Sequence, residues 1–210
     1  MELYFSPLAC SLATRMALYE AGAPATFTRV DLKAQRLADG RDFAAINPLR
    51  QVPVLRMDDG ELLFQNAAIL QHVASTAAPG LAPAEAPGRA RLAQWLSFIS
   101  SELHTGFFSL QFARETSESV KAFARTRVAP HFAYLERHLT GRDYLLDRFT
   151  VADAYLATVL NWTRVAGPDL RDWPAVQAYH QRVLARPAVA KAFGEELAMY
   201  TEEQRQPAAK

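Results

Sequence analysis

The chain changes character once along its length, and that change narrows what it can fold into. Over residues 1–77 the apolar side chains switch repeatedly between a two-residue and a 3.6-residue period, whereas from residue 88 onward the pattern is helical almost throughout. Between them, APGLAPAEAP at 78–87 carries three prolines, each of which fixes φ and removes a backbone donor. The expected organisation is therefore a mixed α/β domain over 1–77, a linker over 78–87 and an all-helical bundle over 88–210.

Within the first part, ELYF at 2–5 reads as a strand. Leu12, Met16, Ala17 and Tyr19 suit a helix that Gly22 ends. TFTRVDL at 26–32 alternates as a strand does, and a short helical piece is expected around Phe43 to Ile46. Asp59-Gly60 between apolar runs signals a hairpin, and Asn66 to Ala77 is helical in pattern. The order β-α-β-α-β-β-α predicts a four-stranded sheet with helices on both faces.

In the second part Leu92, Leu96, Ile99 and Leu103 form an apolar stripe, lying within about 60° at ~100° per residue, while Ser97, Ser101 and His104 share another face. A long helix is expected from about Glu118 to Leu139, broken or kinked near Ala129 by Pro130. Thr150 and Asp153 have the spacing of a helix-start box, followed by core residues Ala154, Leu156, Ala157 and Val159. Helices after Trp173 and after Pro187 complete the bundle, and TEEQRQPAAK reads as a frayed tail.

Charge and motifs exclude several functions. Lys plus Arg, 23, balance Asp plus Glu, 22, so no global field invites nucleic acid or an anionic membrane. Half the residues are apolar, yet no run approaches the ~18 residues of a membrane span. The five histidines show no H-x-x-x-H pair, so a metal site is not expected, and phosphate-loop and G-x-S-x-G motifs are absent. A single cysteine allows no internal disulfide and fits a reducing, cytoplasmic setting.

That cysteine, Cys10, stands between a strand and a helix. As a packing residue it is a small hydrophobe. As a chemical one it would feel the unpaired N–H groups of a helix start, which lower a thiol pKa. Ala13 stands where a dithiol protein needs its second thiol, so any redox partner must come from outside. Pro53 beside Val54 and Leu55 is either an ordinary edge-strand proline or a cis proline that leaves the Val52 backbone free to pair with an extended peptide. Gln65-Asn66 is either a helix cap or a carboxylate-binding helix start.

Together, LYFSPLACSLA, DFAAINPLRQVPVLRMDDGELL, AILQHVA, FISSELHTGF and FTVADAYLATVL resemble glutathione S-transferases, most closely the bacterial beta class. The resemblance covers nearly the whole chain. It implies a thioredoxin-like N-terminal domain with a cis proline at Pro53, an all-α C-terminal domain, a homodimer, and glutathione as co-substrate in the cleft between domains. Under it, Cys10 lies against the glutathione sulfur and Val52 pairs with the cysteinyl backbone. Gln65 and Asn66 hold the γ-glutamyl end, Gln35 stands at the glycyl carboxylate position, and Ser97, Ser101, Glu102 and His104 complete the site. Cys10 and His104 are the implied catalytic residues, and Asp153 the buried helix-start aspartate. The chain departs from the class pattern at Phe5 (Tyr), Gln35 (Lys), Gln65 (Glu), Asn66 (Ser or Gly) and Thr105 (Lys). The implied activity is transfer of the glutathione thiol to hydrophobic electrophiles, with disulfide or peroxide reduction possible on the same site; the electrophile pocket, built from ordinary apolar residues such as Phe107, Phe108 and Phe112, has no motif that defines it. The alternatives are a non-catalytic carrier or regulatory protein of the same fold, and a glutathione-dependent isomerase or dehalogenase.

Overall fold

The structure is a computed structural model describing residues 1–205. By packing, the chain forms two units: Met1–Pro79 together with the last helix, and Gly80–Ala185. The last helix, assigned from sequence to the helical part, thus groups with the N-terminal one.

In the first unit, β1 (Glu2–Phe5) is the central strand. β2 (Thr26–Asp31) pairs with it in parallel and β4 (Val54–Arg56) antiparallel. β5 (Leu62–Phe64) joins β4 through the expected Asp59-Gly60 hairpin, with Gly60 at φ +88°. A fifth strand, β3 (Arg36–Leu37), pairs with β2, giving the order β3-β2-β1-β4-β5 where four strands were expected. Two residues are too few to display a period.

Side chains alternate across β1, so Tyr4 faces one side while Leu3 and Phe5 face the other. Tyr4 packs with Val30, Leu37, Phe43 and Val54, and the predicted short helical piece there is a 3-10 turn, Phe43–Ala45. Helix α1 (Ser11–Glu20) packs on β1 and on α2 (Asn66–Thr76). Both long helices therefore share one face, and the other is closed by the Phe43 turn. Burial of Leu12, Met16, Leu18, Ile69, Leu70 and Val73 is worth about 1.5–3 kcal/mol for each large side chain. Gly22 ends α1 at φ +60°, with Ala23 N–H bonding back to Leu18 O at 3.0 Å. The last helix, α8 (Pro187–Arg205), packs on α1. It carries the expected frayed tail as helix through Arg205, and residues 206–210 lie outside the described residues.

In the second unit, α3 (Ala86–Phe98) runs on as a π-wound segment, Ile99–Ser109, closed by a single turn, α4 (Leu110–Phe112). The stripe Leu92, Leu96, Ile99 and Leu103 is buried as expected. From Ile99 the i→i+5 winding is looser than 3.6 residues per turn, so the projection that aligned Ser97, Ser101 and His104 does not hold. A Cβ on Gly106 would lie 2.6 Å from Ser101 O, five residues back.

Helix α5 (Glu118–Leu139) continues through Pro130, so of the expected break or kink the break does not occur. Pro130 and Thr126, whose carbonyl loses its i+4 donor, are both exposed, and water can take that place. Pro130→Ala is accordingly expected to raise the unfolding free energy by about 1–3 kcal/mol, read as a higher urea midpoint. Helices α6 (Val151–Asn161) and α7 (Pro174–Leu184) complete the unit. The Thr150/Asp153 capping box forms at the start of α6.

Candidate functional site

The register of the sheet gathers one set of loops at one edge. Tyr4 lies opposite Val54 and Val54 opposite Phe64, so the exit of β1, the entry to β4 and the exit of β5 coincide. The exit of β2, parallel to β1, lies at the same edge. Four non-glycine residues with left-handed φ fall in these four segments: Leu8 at +60°, Gln35 at +56°, Arg50 at +56° and Gln65 at +69°. That conformation is costly for residues with a Cβ and concentrates where a backbone is shaped for function.

Cys10 is the N-cap of α1 and is half-buried. Its thiol donates to Val52 O at 3.2 Å, tying the α1 start to the residue before the cis Val52-Pro53 bond. Asn47 holds the approach to that bond, donating through Nδ2 to Gln51 O at 2.7 Å and accepting from Leu49 N–H at 3.0 Å. The expected lowering of the Cys10 pKa is corrected. Desolvation pushes the thiol up to about 12, outweighing the N–H groups of Cys10 and Ser11 that favour the thiolate, while Glu196 adds to the rise. The helix-start effect is present and is the smaller one.

A thiol raised in this way stays overwhelmingly protonated at pH 8. Alkylation of Cys10 by iodoacetamide is expected to be at least roughly 100-fold slower than for a free cysteine and still accelerating above pH 10. A rate plateau near pH 8, followed by intact-protein mass, is the contrary result.

Gln65 is the exposed N-cap of α2, with no side-chain cap. Asn66 is buried and accepts from the Thr14 hydroxyl through Oδ1 at 3.0 Å, while its enclosed Nδ2 meets no protein acceptor. Its role in the fold is thus a tie between α1 and α2 that leaves one donor unspent. Gln35 turns onto its own loop, donating to Leu32 O at 2.8 Å, with Oε1 enclosed and unpartnered.

The helical unit places the other candidates in two groups. Ser101 donates to Glu102 Oε1 at 2.9 Å, and Glu102 Oε2 lies 3.5 Å from His131 Nε2. Ser97 is exposed on α3. His104 instead faces α6: its Nδ1 is 2.7 Å from the Tyr155 hydroxyl, and its ring lies 4.9 Å from that of Trp162. Burial holds the imidazole down to about 4, so it is neutral at pH 7. Beside it, Phe108 stacks on Phe112 at 6.0 Å and meets Trp162 edge-on at 5.6 Å, an aromatic wall with Phe112 partly exposed. Phe107 is buried against Phe108 at 4.8 Å.

Tyr155 and Glu196 were not anticipated. The trace of Tyr155 in the sequence is a phenol hydroxyl inside the run AYLATVL, where the hydroxyl of Thr158 can bond back to its own helix but the long tip of Tyr155 needs a partner elsewhere when buried. Among the described residues no group of three or more His, Cys, Asp or Glu side chains is placed to hold a metal ion. No helix there is long and apolar enough to cross a membrane.

A mixed sheet with a thiol and a cis proline at one edge, followed in the chain by a helical unit, defines a thioredoxin-like domain with an all-helical companion. The family model "Glutathione S-transferase, N-terminal domain" matches residues 2–75, and "Glutathione S-transferase, C-terminal domain" matches 95–187. The chain belongs to the glutathione S-transferase family. It is 38% identical to glutathione S-transferase GstA of Escherichia coli O157:H7, over 93% of this chain and 98% of that protein. A sphingomonad glutathione S-transferase solved with glutathione shares 44% identity at a TM-score of 0.88, covering 93% of this chain and 98% of its own. The bacterial beta class enzyme of Sphingomonas chungbukensis shares 38% at 0.87, with the same coverage.

Proposed function

We propose that the protein binds glutathione at the sheet edge that carries Cys10, Val52, Pro53, Gln65 and Asn66, and transfers its thiol to hydrophobic electrophiles. The observation that carries this reading is the convergence of four left-handed non-glycine residues and a thiol-to-Val52 hydrogen bond on that one edge. The Val52 backbone suits pairing with an extended peptide, and the first N–H groups of α2 with the unpaired Asn66 Nδ2 suit a carboxylate.

In conjugation, glutathione gives its thiol proton to solvent water, the thiolate sulfur forms a bond to the electrophilic carbon, and the leaving group departs with the bonding pair. Cys10, held as a neutral thiol, is a poor nucleophile, and it can donate to that sulfur only by turning its single S–H away from Val52 O. Mixed-disulfide exchange with glutathione disulfide, which forms a Cys10–glutathione S–S bond and releases one glutathione thiolate, is then the slower activity. We assign His104 as the polar group of the helical unit in the reaction and the Phe108, Phe112 and Trp162 wall as the surface for an apolar electrophile.

The test is turnover of an activated chloronitrobenzene, expected to require glutathione and to fall at least about tenfold in His104→Phe. Glutathione binding without turnover would favour the carrier reading. Homodimer formation, a detoxifying role and a cytoplasmic location belong to the same proposal, the first checked by light scattering of the full chain.

A further inference from the structure

From the contact between α6 and the π-wound segment, we infer that Tyr155 is a positioning residue that fixes the tautomer and orientation of His104, leaving Nε2–H as the donor the ring presents. The inference rests on the proposed part of His104 in the reaction. The Tyr155 hydroxyl and His104 Nδ1 are 2.7 Å apart, a short hydrogen bond between two groups of unequal acidity. A phenol, with a pKa near ~10, is a far stronger acid than the N–H of a neutral imidazole, so the tyrosine donates and Nδ1 accepts. A neutral ring that accepts at Nδ1 carries its proton on Nε2.

The surroundings fix the ring as well as the proton. Trp162 meets it edge-on at 62° and 4.9 Å, and the Tyr155 ring stands at 90° to it at 6.0 Å. Tyr155 itself is buried on a helix whose residues are buried throughout, so its hydroxyl has little room to swing. Burial keeps the imidazole neutral at pH 7, with its pKa down at about 4. The ring therefore serves as a fixed neutral donor and is unsuited to shuttle a proton at that pH. Winding as a π-helix from Ile99 sets where residue 104 emerges, and this is how a histidine on that segment comes to meet a tyrosine 51 residues later.

The experiment is nitrogen NMR of the imidazole side chains in the full-length, 15N-histidine-labelled protein at pH 7, with His104→Phe used to assign the His104 signals. The wild-type protein alone gives the first reading: Nε2 is expected in the protonated range and Nδ1 in the acceptor range. A protonated Nδ1 in the wild-type protein overturns the inference whatever Tyr155→Phe does. In Tyr155→Phe, which keeps the ring packing, the two nitrogen shifts are expected to move toward tautomer-averaged values. There kcat should fall by about tenfold, with the glutathione KM changed less than about twofold. Unmoved nitrogen shifts, or a loss in KM with kcat intact, overturn it. If His104→Phe turns over as the wild type does, the proposed part of His104 fails. The NMR reading of Tyr155 then still stands or falls by itself.

Discussion

Asp153→Ala is expected to lower the free energy of unfolding by about 3–5 kcal/mol, the largest loss from any single carboxylate in the helical unit. The side chain is fully buried and accepts four hydrogen bonds. Leu145 N–H gives 2.9 Å and the Tyr179 hydroxyl 2.9 Å to Oδ1; Thr150 N–H at 2.8 Å and the Thr150 hydroxyl at 3.0 Å reach Oδ2. Burial pushes its pKa up to about 6 against the pull of these donors, so the group is ionised at neutral pH. Alanine leaves every donor without its acceptor and removes the cap of α6 together with the anchor of α7. Asp153→Asn, which keeps one carbonyl acceptor, is expected to lose roughly half as much. Urea unfolding followed by circular dichroism checks both values, and a loss below about 1 kcal/mol for the alanine variant contradicts the account.

The second large effect is expected at Glu196, whose carboxyl burial pushes up to about 7 against the pull of Leu8 N–H and Arg15; above that pH its replacement by Ala should cost about 3–5 kcal/mol by leaving a buried cation alone. Glu196 is fully buried on α8, with Arg15 Nη1 of α1 at 3.5 Å. The Arg15 guanidinium lies 4.2 Å from the Phe27 ring centre and 4.5 Å from that of Phe5, so it has no route to water. Glu196 also accepts from Leu8 N–H at 2.8 Å, and Leu8 is one of the left-handed residues of the segment that ends at Cys10. Glu196→Ala is thus expected to disturb the Cys10 segment as well as stability. Its Cys10 should alkylate faster than the wild-type thiol at pH 8, since the segment loosens and an anion that raises the thiol pKa is gone. The double variant Arg15→Met/Glu196→Gln removes both charges and keeps an acceptor for Leu8, so it should cost less than Glu196→Ala alone. A double variant less stable than the single one would show that the ion pair is not what holds α8 to α1.

Features with a local cause were readable in the sequence. The Thr150/Asp153 spacing, the Gly22 helix end and the Asp59-Gly60 hairpin each depend on residues within a few positions of one another, and each is found. The leucine stripe of α3 was equally plain. What escaped depends on distant packing. Glu196 looks like a surface residue beside Glu195, and its partner Leu8 is 188 residues away. The Cys10 pKa follows from desolvation by the whole fold, which outweighs the helix-start effect that the sequence does display. Pro130 should break a helix by local rules, yet exposure at that turn makes the lost hydrogen bond tolerable. The π winding from Ile99 has no period that a 3.6-residue projection can show, so the pairing of His104 with Tyr155 stayed hidden while Ser97 and Ser101 were aligned with the histidine.

Isothermal titration of the full-length protein with glutathione at neutral pH tests the central claim most directly. The account predicts saturable, one-site binding with a Kd at or below about 1 mM, equivalent to roughly 4 kcal/mol of binding free energy. An absence of binding heat with several-millimolar glutathione, in a sample whose circular dichroism shows it folded, would contradict it.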